Sequence, residues 1–184
     1  MFTDRRANSR ATKRRRQPWP ADRPFKILSL DGGGIRGVYT AEVLRRCEEA
    51  FCGGRTLADY FDMIAGTSTG GIIALGLGLG IATRDIVGFY RDDGRAIFPP
   101  LPTWAPSRWW RFYRALRRAR LDHEALERAL KERFGDHLLG ESTARLVIPA
   151  FMMPKTEIAV FKTDHHEDFA NDHSTPMWRV ARAT

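Results

Sequence analysis

The run Gly66-Thr67-Ser68-Thr69-Gly70 sets a serine between two glycines, each two residues away. That spacing suits a nucleophile. Its Oγ must project from a tight turn so that a carbonyl carbon can approach without meeting the backbone. Glycines on either side remove the Cβ atoms that would obstruct such a turn. A helix starting just after the serine would place partial positive charge where an alkoxide and then an oxyanion develop. About 35 residues earlier stands a second glycine-rich run, Asp31-Gly32-Gly33-Gly34-Ile35-Arg36-Gly37. Consecutive glycines with free amides form a concave set of N–H donors, suited to a phosphate or to a tetrahedral oxyanion.

Read singly, each motif is weakly specific. Gly32-x-Gly34-x-x-Gly37 also fits a dinucleotide-binding fingerprint, which needs an acidic residue at the end of its second strand, about 20 residues on. Here Asp59 and Asp62 come before the next apolar strand, and that strand ends in Gly66 and Ser68. The ribose partner is therefore misplaced. A Walker A loop is excluded because no Gly-Lys-Ser/Thr follows the glycines. A glycine nest, a helix and then a Gly-x-Ser-x-Gly turn together make an acyl-transfer layout.

Asp31–Gly37 taken with Gly66-Thr67-Ser68-Thr69-Gly70-Gly71 resembles the patatin-like phospholipases. The resemblance runs from about Phe25 to the C-terminus and is closest over Lys26–Leu75. The ending Trp178–Thr184 looks like the helix near that family's third motif. What the resemblance implies is a three-layer α/β sandwich with a largely parallel central sheet, and a Ser–Asp dyad in place of a triad. Ser68 is then the nucleophile, and Gly66, Thr67, Thr69 and Gly70 form its elbow. Gly32, Gly33, Gly34, Ile35, Arg36 and Gly37 form the oxyanion hole, centred on the amides of Gly33, Gly34 and Ile35. The implied substrate is a phospholipid or another fatty-acyl ester, met through peripheral membrane contact, with no metal and no organic cofactor. Hydrolysis and acyl transfer to another alcohol use the same residues.

The family's aspartate sits in an Asp-Gly-Gly or Asp-Gly-Ala sequence beyond the last helix. Asp164, Asp168 and Asp172 are followed by His, Phe and His, so none fits. The expectation is that residues 25–184 are the front portion of the domain, incomplete at the C-terminus. Without a base the serine stays protonated. These residues alone should then show little esterase activity, and a longer parent containing the aspartate should be active. The competing readings are a catalytically dead lipid-binding remnant and a Rossmann-type nucleotide-binding module.

Other residues invite sharper roles. Arg36 suits a substrate phosphate or a structural charge pair equally well. Asp164 and His173 follow Ser68 in the order of an α/β-hydrolase triad, but both fall in a polar stretch and no His-Gly-Gly-Gly element is present. His165, His166 and Asp168 lack a further ligand at recognisable metal spacing. Trp104, Trp109, Trp110, Phe112 and Tyr113 interleave with Arg108, Arg111, Arg114, Arg117 and Arg118. They make either an interfacial lid or an insertion with solvated arginines.

To position these groups, strands are expected over Phe25–Leu30, Met63–Ala65, Leu146–Phe151 and Glu157–Phe161. Helices are expected from Val38 to Phe51, Gly70 to Leu79, Arg84 to Arg95, Arg108 to Arg120 and Asp122 to Phe134, with another opening near Trp178. Pro99–Pro106 reads as a loop. Alternating strands and helices argue for a largely parallel α/β sheet with helices on both faces. The uncharged stretch Met63–Thr83 is long enough to span a membrane, but six glycines make it a poor lipid-facing helix and a good buried one.

Of the net charge of +8, six units belong to residues 1–24, where eight basic residues face two acidic ones. That tail is almost free of aliphatic residues and holds three prolines, so disorder is expected there, as a basic arm or a plain solvated extension. The remainder, 25–184, is close to neutral and offers no nucleic-acid signature. Cys47 and Cys52 sit on different faces of one helix, which argues against a disulfide framework. A cytoplasmic setting is expected, peripheral at a membrane.

Overall fold

The structure, a computed structural model, describes residues 19–92, 94, 123–152, 156–166 and 168–184. The tail up to Pro18, the proline-rich loop and the Trp/Arg helix candidate lie outside those residues.

Four apolar runs become strands of one sheet in the order β1 (Ile27–Leu30), β2 (Met63–Gly66), β3 (Arg145–Met152) and β4 (Glu157–Lys162). β1 pairs parallel with β2, and β2 parallel with β3. β4 returns antiparallel along β3. Residue alternation along the strands gives two unequal faces. Leu30, Ile64, Leu146 and Ile148 are buried, whereas Ile27 and Ser29 are exposed and Met63 and Ala65 half-buried.

The buried face receives α3 (Thr69–Gly78), all ten residues of which are buried. Its glycines allow that approach: a Cβ on Gly76 would press on Ile86, and one on Gly78 would overlap the Ser142 hydroxyl and the Leu146 side chain. Around α3 gather α1 (Gly37–Phe51), α4 (Thr83–Asp92), α5 (His123–Phe134) and α6 (Met177–Ala183). Their apolar faces, including Leu44, Phe89, Leu130, Phe134 and Val180, complete one core. No helix among the described residues is long and apolar enough to cross a membrane.

One α-helix is absent from the sequence expectations. α2 (Leu57–Tyr60) is a single turn opened by a reciprocal capping box between Thr56 and Asp59. Its start is also held from afar. Glu48, late in α1, accepts the Leu57 N–H at 2.9 Å on Oε2 and the Thr83 hydroxyl at 2.8 Å on Oε1. One half-buried carboxylate thus ties α1 to the starts of two helices. Glu48→Ala is expected to cost about 1–3 kcal/mol, a drop of several degrees in Tm measured by thermal unfolding.

The expected boundary at Pro24 falls inside an exposed segment that nonetheless contacts the domain. Trp19 lies against Phe25 (ring centroids 5.1 Å apart), and the buried Arg145 guanidinium stacks over Trp19 at 4.6 Å. Arg23 makes a two-pronged bond to Asp62 (2.8 and 2.5 Å), which also accepts the Lys26 N–H at 2.8 Å. Aromatic and bidentate contacts anchor residues 19–24 where composition alone pointed to a free tail.

The Arg23 guanidinium holds the Asp62 carboxyl below the usual carboxylate range. A carboxyl depressed in the folded state contributes stability above its unfolded pKa, about 3.9, and loses it as pH falls through the lower folded value. Tm should therefore decline below about pH 4, and Asp62→Asn should flatten that decline in thermal melts run across the acid range.

Candidate functional site

Both glycine motifs lie at the carboxyl ends of parallel neighbours, the end at which open α/β sheets receive ligands. β1 runs into Asp31 and the glycine loop, and β2 ends at Gly66 and turns through Thr67 and Ser68 into α3. Ser68 sits at φ 53°, ψ −125°. A non-glycine residue held there costs about 1–3 kcal/mol. The reversal from strand to buried helix imposes that conformation and leaves Ser68 exposed at the turn.

Backbone contacts dictate the two flanking glycines. A Cβ on Gly66 would overlap the Gly70 carbonyl across the turn, and one on Gly70 would overlap the Leu30 carbonyl at the end of β1. Thr67 donates its N–H to that same Leu30 carbonyl at 3.2 Å. The elbow is thus wedged onto the end of β1, which brings the following loop alongside it.

That loop closes on Ser68. A Cβ on Gly32 would come within 2.8 Å of Ser68 Cβ and 3.6 Å of its Oγ. The amides of the loop have different fates. Gly33 donates to Thr69 Oγ1 at 3.0 Å, and Arg36 donates to the Gly33 carbonyl at 3.2 Å. Gly34, at φ 57°, begins a 3-10 turn over Gly34–Arg36. The amides of Gly34 and Ile35 open that turn and have no acceptor within it, as the Thr69 amide has none within α3. The Gly33 amide, placed by sequence at the centre of the donor set, is therefore engaged by Thr69. Gly37 is a packing position: a Cβ there would lie 3.1 Å from Thr69 Cβ and 3.2 Å from the Tyr90 ring. The Arg36 side chain is exposed.

Two residues not singled out from sequence complete the arrangement. The buried Tyr90 hydroxyl of α4 donates to the Thr69 carbonyl at 3.0 Å, and burial pushes its phenol pKa up. Thr184, at the end of α6, accepts the Ser68 N–H at 3.0 Å. Only the amphipathic spacing of α4 signalled that Tyr90 faces inward, and nothing signalled Thr184.

The histidine and aspartate candidates stand apart. His173 bonds the Ala170 carbonyl at 2.8 Å and packs under Gly140. His165 Nδ1 lies 2.9 Å from Thr163 Oγ1, and His166 Nδ1 lies 3.4 Å from Asp168 Oδ2. Asp164 lines a small cavity with Arg145, Ser142, Thr163 and His165. Arg145 begins β3, so that cavity lies at the end of the sheet opposite the elbow. Among the described residues no side chain hydrogen-bonds the Ser68 hydroxyl.

Residues 28–184 match the Patatin-like phospholipase family. A cGAMP-activated phospholipase of Pseudomonas aeruginosa (strain BWHPSA011 / Pa011) is 36% identical over 160 residues, covering 87% of this chain and 46% of that protein. The protein of the same description from Vibrio cholerae (serotype O1, strain ATCC 39315 / El Tor Inaba N16961) is 33% identical over 167 residues, covering 86% and 47%. Patatin-like protein 4 of Arabidopsis thaliana is 36% identical over 151 residues, covering 76% and 37%. The chain spans about half the length, or less, of these curated relatives. By the extent of the family match and the identity to these relatives, it belongs to the patatin-like phospholipase family.

Proposed function

We propose that this chain carries the nucleophile and oxyanion donors of a lipid acyl hydrolase acting on phospholipids or other fatty-acyl esters. Ser68 Oγ bonds to the ester carbonyl carbon as its proton passes to a base. The resulting oxyanion is held by the Thr69 amide and by the loop amides of Gly34 and Ile35, with Gly32 supplying the close approach. Collapse breaks the ester bond, the departing alcohol takes up the proton, and water then releases the fatty acid from Ser68. The base on this reading is the aspartate of the family's Asp-Gly-Gly or Asp-Gly-Ala sequence. Neither tripeptide occurs between Ser68 and Thr184. Metal and organic cofactor take no part.

The observation that carries the reading is the Ser68 backbone, turned to positive φ at the carboxyl end of β2 with the glycine loop folded against it. A fluorophosphonate probe tests it on a form of the protein that includes the base, with the adduct mapped by mass spectrometry. Modification of Ser68, absent from Ser68→Ala, is the expected result. Labelling elsewhere, or nicotinamide cofactor binding at the glycine loop, would overturn it. Because two relatives are named for activation by cGAMP, the labelling is run with and without that cyclic dinucleotide.

A further inference from the structure

The mechanism above leaves one side chain at the elbow without a role. The Thr184 hydroxyl accepts the Ser68 N–H at 3.0 Å and donates to the Pro149 carbonyl at 2.7 Å. The strands explain why a bridging hydroxyl is needed there. β2 pairs with β3 only as far as Ala65 opposite Val147, and after Gly66, still paired with Leu30, it leaves the sheet to make the turn. β3 runs on to Met152, so past Val147 its β2-facing edge has lost its ladder partner. Pro149 lies in that stretch with no N–H to satisfy, only a carbonyl. Ser68, turned to positive φ, presents an N–H that can no longer join the ladder. A hydroxyl is both donor and acceptor and closes the gap between the two.

The hydroxyl is held in place rather than free to rotate away. Thr184 Cγ2 lies against Gly71, where a Cβ would come within 2.8 Å. The Thr184 N–H continues the helical pattern to the Val180 carbonyl at 3.2 Å. α6 is anchored in the core through Met177, Val180 and Ala181. The position of α6 therefore sets where the Ser68 amide stands relative to β3.

We propose that Thr184 is a positioning residue for Ser68: its hydroxyl splices the elbow to β3 and keeps the serine in its positive-φ conformation for attack. The proposal rests on the reading of Ser68 as nucleophile. Thr184→Val keeps the shape and removes both hydrogen bonds, and Thr184→Ser keeps the hydroxyl. Two quantities are measured on each: the rate of fluorophosphonate labelling of Ser68, and the exchange rate of the Ser68 amide by NMR. In Thr184→Val the amide should exchange about tenfold faster and labelling should slow about tenfold, the scale of one lost hydrogen bond. Thr184→Ser should stay near wild type in both and in Tm, whereas Thr184→Val should melt a few degrees lower. A Thr184→Val protein that keeps wild-type labelling and wild-type amide protection would overturn the proposal. So would a Thr184→Ser protein that folds but loses both, which also decides the matter if the valine variant does not fold. Failure to label Ser68 in an otherwise unmodified protein that includes the base would sink the nucleophile reading instead, and the amide exchange would still decide the Thr184 contact.

Discussion

Alanine in place of Ser68 is expected to lower ester hydrolysis by a form of the protein that includes the base at least about 10³-fold, because no attacking atom remains and only transition-state donors are left. Initial rates on a fatty-acyl ester at saturating substrate measure this, and a variant retaining a tenth of wild-type turnover would exclude Ser68 as the nucleophile. The same position separates chemistry from stability. The serine is held at φ 53°, where only glycine is at ease. Ser68→Gly should therefore be as inactive as the alanine variant and yet melt higher. Relief of about 1 kcal/mol of strain corresponds to roughly 2–4 °C in Tm for a protein of this size. A gain in stability on removing a reactive side chain is the expected mark of a site built under strain.

Gly70→Ala is expected to have the largest effect on folding. Gly70 opens α3 directly over the end of β1, and its added Cβ would overlap the Leu30 carbonyl and lie 2.8 Å from the Asp31 carbonyl. Both are backbone atoms, one in a strand paired to β2, so neither can swing aside as a side chain would. Relief requires lifting α3 off the sheet, and α3 is the most buried helix described. A loss of about 3 kcal/mol or more follows, seen as a fall of many degrees in Tm or as insoluble protein. Gly88→Ala is the matched control. It sits in α4, where an added Cβ would meet nothing nearer than Asp92 Oδ2 at 4.0 Å. Helix propensity alone then acts, and the variant should gain about 0.5–1 kcal/mol. Equal melting temperatures for the two variants would contradict the packing account.

The elements around the site were legible from local pattern. Short apolar runs stopped by glycine marked β1 and β2, and an uncharged, glycine-rich stretch marked α3 as buried. Apolar spacing marked α1 to its end at Phe51. α2 escaped notice because a single turn has no periodicity to read; its signal was Thr56-x-x-Asp59, a capping box with aspartate where glutamate is usual. Residues 19–24 read as tail because composition reports what a segment can bury by itself. Trp19 and Arg23 find their partners on Arg145 and Asp62, which belong to other strands or lead into them.

By itself the sequence determined the family, the Gly-x-Ser-x-Gly turn and the glycine loop before it, since each is a contiguous run whose residue types and spacing can be read without knowing what packs against it. Only the tertiary structure decided how the two runs meet. It assigns the Gly33 amide to the Thr69 hydroxyl, the Thr69 carbonyl to Tyr90, and the Ser68 amide to Thr184, a residue 116 positions away. Those choices follow from which backbone groups are orphaned when a strand leaves its sheet to become a helix. The groups near enough to satisfy them are set by the packing of α4, α6 and β3, not by their order along the chain.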